Sequence, residues 1–172
     1  SCCSTYYKTI SKIITNKMKN IMPILIGEEQ ETFVASRSIY YNIMLSQSLV
    51  KNYGIKSISP LSLVKVNIRK AFDSLQWTFI HDMLLTFKFP PKLIKWIMKC
   101  ITVSWFSLKI NGSVRGFFNG ESGVRQGDPL SPFLFVLSMS VLSRYLRIFA
   151  KIGSSSFHPK CSRFNNTHVV FA

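Results

Sequence analysis

The sequence predicts an α+β fold, and two patterns carry that prediction. Apolar residues recur at helical spacing over several segments, whereas one stretch around an Asn-Gly pair alternates apolar with polar residues. An apolar content of 47% in 172 residues is enough to form a buried core. We therefore expect helices with a small amount of sheet, as one domain or as a piece of a larger one.

Two helices and a strand are expected in the first part of the chain. Residues 5–22 form an apolar face with lysines turned outward, and Pro23 ends or kinks this helix. The expected apolar face is Tyr6, Tyr7, Ile10, Ile13, Ile14, Met18, Ile21 and Met22. A second helix is expected over 38–52, with Gly54 as a stop signal. Aliphatic residues over 61–68 predict a strand.

The middle of the chain predicts two helices over 74–103. Asp73 and Gln76 have the spacing of a capping box that opens the first helix. Its expected apolar face is Trp77, Ile80, Leu84 and Leu85. Pro90-Pro91 divides this helix from the next one, whose inward face is expected to be Leu93, Ile94, Ile97, Met98 and Ile101.

A hairpin, a loop, a helix and a last strand are expected to follow. Asn111-Gly112 favours a two-residue turn, so residues 105–118 predict a β-hairpin. The loop over 125–132 combines a flexible glycine with residues suited to start a helix. The apolar face of that helix is expected to be Phe133, Leu134, Val136, Leu137, Val141, Leu142 and Tyr145. Residues 168–172 have the pattern of a buried strand that is just beginning.

The charge balance indicates polyanionic partners. Lys and Arg number 22 and Asp and Glu only 7, giving a net charge of +15, which attracts nucleic acid or acidic lipid. The four cysteines lack any CxxC pair, which argues against a disulfide framework or a zinc ribbon. His158 and Cys161 have ligand-like spacing, but only His168 lies near them in sequence, so no metal site is predicted.

No membrane segment or secretory signal is expected. The longest apolar stretch, 132–142, is shorter than the roughly 20 residues that a membrane span needs. The first residues lack a basic region followed by an apolar run. We therefore expect an intracellular protein, in the nucleus or the cytoplasm.

Several motifs stand in a fixed order along the chain. They are Val66–Trp77 (VNIRKAFDSLQW), Pro90–Ile97, Lys109–Gly112, Arg125–Pro132 (RQGDPLSP), Phe157–Cys161 and Thr167–Ala172. In order and spacing, this series resembles the reverse transcriptase of LINE-type (non-LTR) retrotransposons, especially those of plants. The resemblance covers almost all 172 residues. It implies the fingers and partial palm of a right-hand polymerase, with a fingers-like helical region over 1–60 and a partial palm over 61–172 whose sheet is incomplete at the C-terminus.

The resemblance also implies where metal-binding carboxylates belong. Polymerases of this kind use two divalent ions, usually Mg²⁺, held by carboxylates. The first Asp of the family corresponds to Asn67, six positions before Asp73, and the Asp-Asp pair of the family follows directly after the match to Phe171-Ala172. None of the three carboxylates is present in these 172 residues, so we expect no intact catalytic or metal-binding residue.

Seven residues match nucleotide-binding or template-binding positions of the family: Arg37, Arg69, Lys70, Phe72, Arg125, Gln126 and Gly127. Phe72 matches the aromatic beneath the sugar that helps to exclude a 2′-hydroxyl, although a core Phe at a strand end is an equal alternative. Gln126 and Gly127 match residues that line the incoming nucleotide and the template base. Each cation suits phosphate, but a solvated surface charge is its alternative.

Two departures from the family pattern affect the fingers. Ser36 stands where the family usually has Gly, and Tyr41 stands where it usually has Asp. Both changes are expected to weaken the nucleotide site.

Three hypotheses follow from these patterns. The first is a reverse transcriptase fragment, retrotransposon-derived and catalytically inert as given, whose family partners are an RNA template, a DNA primer and deoxynucleotides. The second is a non-catalytic basic module that binds nucleic acid. The third is an unrelated small basic protein, such as a ribonucleoprotein component or a membrane-surface protein. The sequence gives no indication of the oligomeric state.

Overall fold

The α+β class is confirmed by the computed structural model, which describes residues 5–27, 29–30, 33–34, 37–51, 64–152 and 168–170. Within these ranges the chain forms six helices and one two-stranded antiparallel sheet. The elements are α1 (Thr5–Lys19), α2 (Met22–Leu25), α3 (Ile39–Val50), α4 (Trp77–Thr86), α5 (Pro91–Thr102), β1 (Trp105–Ile110), β2 (Ser113–Asn119) and α6 (Ser131–Lys151).

The core lies between α1, α4, α5 and α6. Helix α4 packs against α5 and α6, and α5 also contacts α1. Buried apolar side chains from all four helices meet there, among them Met18, Ile80, Leu84, Ile97, Leu134 and Leu137. Because burying one such side chain stabilises a fold by about 1.5–3 kcal/mol, this cluster holds the four helices together.

The first helix is shorter than the expected span of 5–22, and Pro23 does not end it. Helix α1 ends at Lys19, a turn follows, and Pro23 lies in the first turn of α2. Proline suits that position because the N–H it lacks has no partner within the helix there.

The buried face of α1 also differs from the expected one. Ile10 and Ile13 are 52% and 54% exposed, whereas Ser11 and Thr15 are buried beside Ile14. The two hydroxyls are tolerated in the core because each donates a hydrogen bond, Ser11 to Asp128 and Thr15 to the Ser11 carbonyl.

Helix α3 agrees with the expected span of 38–52 to within two residues. It begins after Ser38, whose hydroxyl accepts a hydrogen bond from the Tyr40 N–H at 3.3 Å. This is the N-cap arrangement that favours serine at a helix start. The predicted stop at Gly54 lies outside the described residues.

The prediction of a strand over 61–68 is wrong for residues 64–68, the part of this segment that the structure describes. Residues 64–68 have no regular secondary structure, and Val64 and Val66 are 78% and 77% exposed. A strand needs a partner for its backbone N–H and C=O groups. The last strand, expected over 168–172, does not supply one in its described part, because Val170 forms an isolated parallel bridge with Gln30. Phe171 and Ala172 lie outside the described residues.

The predicted capping box at Asp73 is also wrong. Helix α4 begins at Trp77, and its N-cap Gln76 makes no side-chain capping bond. Residues 70–74 instead form a turn, in which the N–H groups of Asp73 and Ser74 both donate to the Lys70 carbonyl, at 2.9 and 3.0 Å. That turn uses the residues that were expected to start the helix.

The inward faces of the two middle helices are largely as expected. Helix α5 buries Leu93, Ile94, Ile97 and Ile101, with Met98 partly buried against the core. In α4, Ile80 and Leu84 are buried as predicted, but Leu85 is 51% exposed and Met83 takes its place.

The hairpin is confirmed. Asn111 and Gly112 have φ angles of 47° and 84°, as a two-residue turn of type I′ requires. Phe106 pairs with Phe118, but Leu108 pairs with Arg115, so β2 carries one extra residue as a β-bulge. Every residue of both strands is exposed.

Helix α6 follows the 125–132 loop as expected, but its second half is more exposed than predicted. Leu134, Val136 and Leu137 are fully buried, whereas Leu142 and Tyr145 are 45% and 61% exposed. The helix is longer than the apolar run in the sequence, and by length and composition alone it could cross a membrane. A core helix of a soluble protein passes the same test, and the buried first half of α6 has that character.

Candidate functional site

Residues 120–130 are fixed against the turn that precedes α4. The Gly123 N–H donates to the Leu75 carbonyl at 2.7 Å, and the Val124 N–H donates to the Phe72 carbonyl at 2.9 Å. The Trp77 indole N–H donates to the Gly123 carbonyl at 2.8 Å. These bonds place two predicted site segments, around Phe72 and around Gln126, side by side.

Gly123 is required at this junction. Its φ is +83°, and a Cβ there would lie 2.9 Å from the Cα of Asp73. Both the backbone conformation and the space therefore exclude a side chain. The sequence analysis missed this residue, because a glycine in a polar loop gives no sign of what lies next to it.

A buried carboxylate ties the same loop to α1. Asp128 is only 5% exposed and accepts hydrogen bonds from the Tyr7 hydroxyl at 2.7 Å and from the Ser11 hydroxyl. It also accepts the Leu130 N–H at 3.3 Å, just before α6 begins. The carboxylate thus satisfies donors from two helices and holds the loop between them.

Burial raises the pKa of the Tyr7 phenol above its usual range, and the hydrogen bond to Asp128 raises it further. Tyr7 therefore keeps its proton at neutral pH and can donate it to the carboxylate. Burial likewise raises the pKa of the Cys100 thiol, and the nearby Asp128 adds to that effect. Cys100 is thus a protonated, weakly reactive thiol at neutral pH.

Arg125 is oriented by three neighbours. Its Nε donates to the Ser104 hydroxyl at 3.0 Å, and its guanidinium lies 4.8 Å from the centre of the Tyr7 ring. Its backbone carbonyl accepts the Ser131 hydroxyl at 2.6 Å. The cation is therefore held at a defined position beside Gln126.

An open cleft of about 620 Å³ lies between these elements, and we call it the Gln126 cleft. It is lined by Lys12, Phe72, Gln126, Gly127, Asp128, Pro129, Ser131 and Pro132. Three of the predicted site residues, Phe72, Gln126 and Gly127, thus share one cavity. The Phe72 ring is partly buried and packs on Phe135, with ring centroids 5.1 Å apart.

Lys12 is a cleft residue that the sequence analysis did not select. It lies on the exposed side of α1 and brings a positive charge to the cleft. Its position in a predicted amphipathic helix suggested only a solvated lysine. The contact arises from the docking of α1 through Ser11 and Tyr7, which the sequence does not reveal.

Five predicted site residues do not line the Gln126 cleft, namely Arg125, which lies beside Gln126, and Arg37, Asn67, Arg69 and Lys70. Asn67, Arg69 and Lys70 are exposed on the irregular segment before the Asp73 turn, and none of them lines the cleft. The guanidinium of Arg37 donates to backbone carbonyls around the end of α2, including Ile26 at 3.1 Å and Gln30 at 2.9 Å. The nucleotide-binding or template-binding roles of Arg37, Arg69, Lys70 and Arg125 stay predictions, as does the match of Asn67 to the family's first Asp.

Sequence comparison with known proteins identifies the family of this chain. The family model of reverse transcriptase (RNA-dependent DNA polymerase) matches residues 1–172, so the chain belongs to the reverse transcriptase family. It is 27% identical over 86% of its length to the transposon TX1 uncharacterized 149 kDa protein of Xenopus laevis.

Two further relatives are retrotransposon proteins of insects. The chain is 31% identical over 71% of its length to the Pol polyprotein from the R2 element of Nasonia vitripennis. It is 34% identical over 72% of its length to the Pol polyprotein from the R2DM element of Drosophila melanogaster. The match spans 11% of the Xenopus protein and 12% of each insect protein, so the chain corresponds to a small part of each. It is thus a reverse transcriptase domain fragment related to non-LTR retrotransposons.

The residues present do not fit a two-metal centre. Reverse transcriptases generally depend on Mg²⁺, which prefers carboxylate oxygens. Asn67 offers a neutral amide, and the 172 residues contain no Asp-Asp pair. Among the described residues, no group of three His, Cys, Asp or Glu side chains is arranged to hold a metal. Asp128, the carboxylate of the cleft, already accepts bonds from Tyr7 and Ser11.

Proposed function

We propose that residues 1–60 form the fingers-like region and residues 61–172 the partial palm of a reverse transcriptase domain, and that the Gln126 cleft is its nucleotide and template site. The observation that carries this proposal is the meeting of Phe72 with Gln126 and Gly127 around one cleft. These segments are far apart in sequence, and the bonds of Gly123 and Val124 hold them together.

The chemistry of the cleft suits a nucleotide. Phe72 offers an aromatic surface for the sugar, and Gln126 offers an amide for a base edge. Gly127 leaves its backbone open, because no atom beyond its own chain neighbours lies within 4 Å of where its Cβ would be. Lys12 supplies positive charge for a phosphate. In the proposed arrangement, Arg69, Lys70 and Arg125 contribute further phosphate contacts along the template and primer, whereas Arg37 holds the backbone around the end of α2.

We propose that the chain is catalytically inert as given. Nucleotidyl transfer needs metal ions that stabilise the attacking and leaving oxygens. Asn67 stands at the position of the family's first metal-binding Asp, and no Asp-Asp pair is present in the 172 residues. The chain's own residues therefore bind and orient nucleic acid without the charge stabilisation that the reaction requires, and Mg²⁺ is not expected to bind tightly.

The proposed partners are an RNA template, a DNA primer and deoxynucleotides inside the cell, with no membrane partner. The net charge of +15 supports binding to polyanions.

Binding of an RNA–DNA duplex with an overhanging template tests this proposal. Lys12→Ala should weaken binding and reduce the slope of log affinity against log salt by about 1, the change expected for one lost phosphate contact. Lys92→Ala is the matched control, because Lys92 is also an exposed lysine but lies over the Trp96 ring, away from the cleft. Equal effects of the two variants, or no effect of Lys12→Ala, would contradict the assignment of the cleft.

A further inference from the structure

A second cavity, of about 700 Å³, adjoins the Gln126 cleft, and we call it the aromatic cavity. Gln126 lines both cavities. The aromatic cavity lies between the start of α4, the start of β1 and the loop before Gln126. Its lining includes Trp77, Ser104, Trp105, Phe106 and Arg125.

The aromatic rings of this cavity are held by the backbone around them. The Trp77 indole is fixed by its hydrogen bond to the Gly123 carbonyl. The Phe106 ring stacks on Phe118 with centroids 5.8 Å apart. Gly120 packs so closely that a Cβ there would lie 3.1 Å from Phe106 and 3.6 Å from Trp77. These rings therefore form a preorganised apolar wall.

The wall is accessible, because Phe106 is 46% exposed. A large exposed aromatic surface costs solvation free energy unless a ligand covers it. Polar groups accompany the rings: the oriented guanidinium of Arg125 lies on one side, and Asp73 with three serines completes the lining, namely Ser104, Ser107 and Ser122.

Flat rings beside a fixed cation suit an unstacked nucleobase and the phosphate attached to it. The chain's charge of +15 favours the same ligand, because a polyanion is attracted to the whole surface. The Asp73 carboxylate can accept a hydrogen bond from a donor on the base edge, such as the N3–H of thymine.

We propose that the aromatic cavity binds an unpaired base of a single-stranded nucleic acid, stacked on Phe106 beside Trp77, next to the Gln126 cleft. This inference rests on the proposed function and adds a subsite to it. The hairpin then serves as a stacking platform, which accounts for two strands whose residues are all exposed.

The test compares two oligonucleotides of equal length and charge, an oligothymidylate and an abasic deoxyribose-phosphate strand. The unchanged chain should bind the thymidylate strand more tightly, and Phe106→Ala should reduce this preference about tenfold, within the range measured for base–aromatic stacking. Phe106→Tyr keeps an aromatic ring and should retain most of the preference. Phe117→Ala is the matched control, because Phe117 is 76% exposed on the same hairpin but does not line the cavity.

A second readout needs no variant. Tryptophan fluorescence of the unchanged chain should be quenched by the thymidylate strand and not by the abasic strand. Equal affinity for the two strands without base-dependent quenching would overturn the inference and leave the proposed nucleic-acid function standing. Absence of binding to either strand would contradict both. Equal losses in Phe117→Ala and Phe106→Ala would overturn the assignment to this cavity.

Discussion

The Tyr7 hydroxyl donates a hydrogen bond of 2.7 Å to the carboxylate of Asp128, which lies 121 positions further along the chain. The same hydroxyl lies 3.1 Å from the Cys100 carbonyl in α5. One side chain of α1 thus contacts both the core helix α5 and the loop that carries Gln126. The shape of the Gln126 cleft depends on this junction, because α1 brings Lys12 to the cleft.

Asp128→Asn should destabilise the fold. Asparagine keeps one acceptor oxygen and replaces the other with an NH₂ group, so one of the Tyr7 and Ser11 hydroxyls loses its acceptor. A buried donor left without a partner costs about 1–3 kcal/mol. Chemical denaturation should therefore show a lower free energy of unfolding. Glu121→Gln is the control, since Glu121 is exposed and should tolerate the change. If Asp128→Asn lowers the free energy of unfolding no more than the control does, the bonds of Asp128 to Tyr7 and Ser11 contribute little to stability.

Gly123→Ala should lower the thermal midpoint more than Gly127→Ala. Both glycines have positive φ angles, +83° and +82°, so each alanine incurs the backbone cost of about 1–2 kcal/mol for a left-handed residue. Only at position 123 would the new Cβ also meet backbone, the Cα of Asp73 at 2.9 Å. Thermal unfolding followed by circular dichroism measures the difference. Equal midpoints for the two variants would disprove the close approach at Gly123.

His168 should make stability depend on pH below neutrality. Burial lowers the pKa of His168, and the positive charge of Arg147 lowers it as well, whereas the negative charge of Glu29 partly offsets both effects. The Nε2 of His168 lies 2.7 Å from the Ser143 hydroxyl. An unfolded histidine takes up a proton near pH about 6.5, whereas the folded one does so only at lower pH. Stability contributed by neutral His168 is therefore fully present above pH about 6.5 and is lost as the pH falls toward the folded pKa.

Unfolding free energies measured between pH 5 and 8 test this dependence. His168→Gln should flatten the curve in that window, because glutamine does not titrate. His81→Gln keeps His168 and should retain the slope. A His168→Gln curve that parallels the native one would show that His168 does not cause it.

Binding to nucleic acid should weaken steeply with salt. Each contacted phosphate releases counterions, so about six contacts lower the affinity for duplex roughly 10³-fold between 50 and 200 mM salt. Fluorescence anisotropy with an RNA–DNA duplex provides the measurement, and anionic vesicles provide the comparison. Affinity that stays flat over this range, or stronger binding to vesicles, would rule out the electrostatic account.

The sequence predicted correctly the elements that depend on neighbouring residues, such as the hairpin turn and helix α5. Asn111-Gly112 favours positive φ at both positions, and the turn forms there. The apolar stripe of α5 faces the core because its spacing allows only one buried face. The prediction of a strand over 61–68 was wrong for the described residues. A strand forms only where a second strand pairs with it, and the described part of this segment pairs with no other strand.

The candidate site was predictable in part. The family resemblance identified Phe72, Gln126 and Gly127, which share a cleft. It did not identify Lys12 or the anchoring role of Asp128, because both depend on how α1 docks through contacts between distant residues. The bonds of the Arg37 guanidinium to carbonyls near α2 were equally invisible in the sequence.

Primer extension tests the central claim most directly: the chain is a reverse transcriptase domain fragment without the carboxylates that catalysis needs. Four proteins are compared with Mg²⁺ or Mn²⁺: the chain itself, Asn67→Asp, the chain with a C-terminal extension supplying Asp-Asp and a return strand, and both changes together. Groups that act as a unit are strongly non-additive, so each single repair should give little. We expect templated extension only when both changes are combined. If the doubly changed chain does not hold the primer, the thumb domain of a reverse transcriptase is added to it. Templated extension by the unmodified 172-residue chain, above a heat-killed control, would contradict the account.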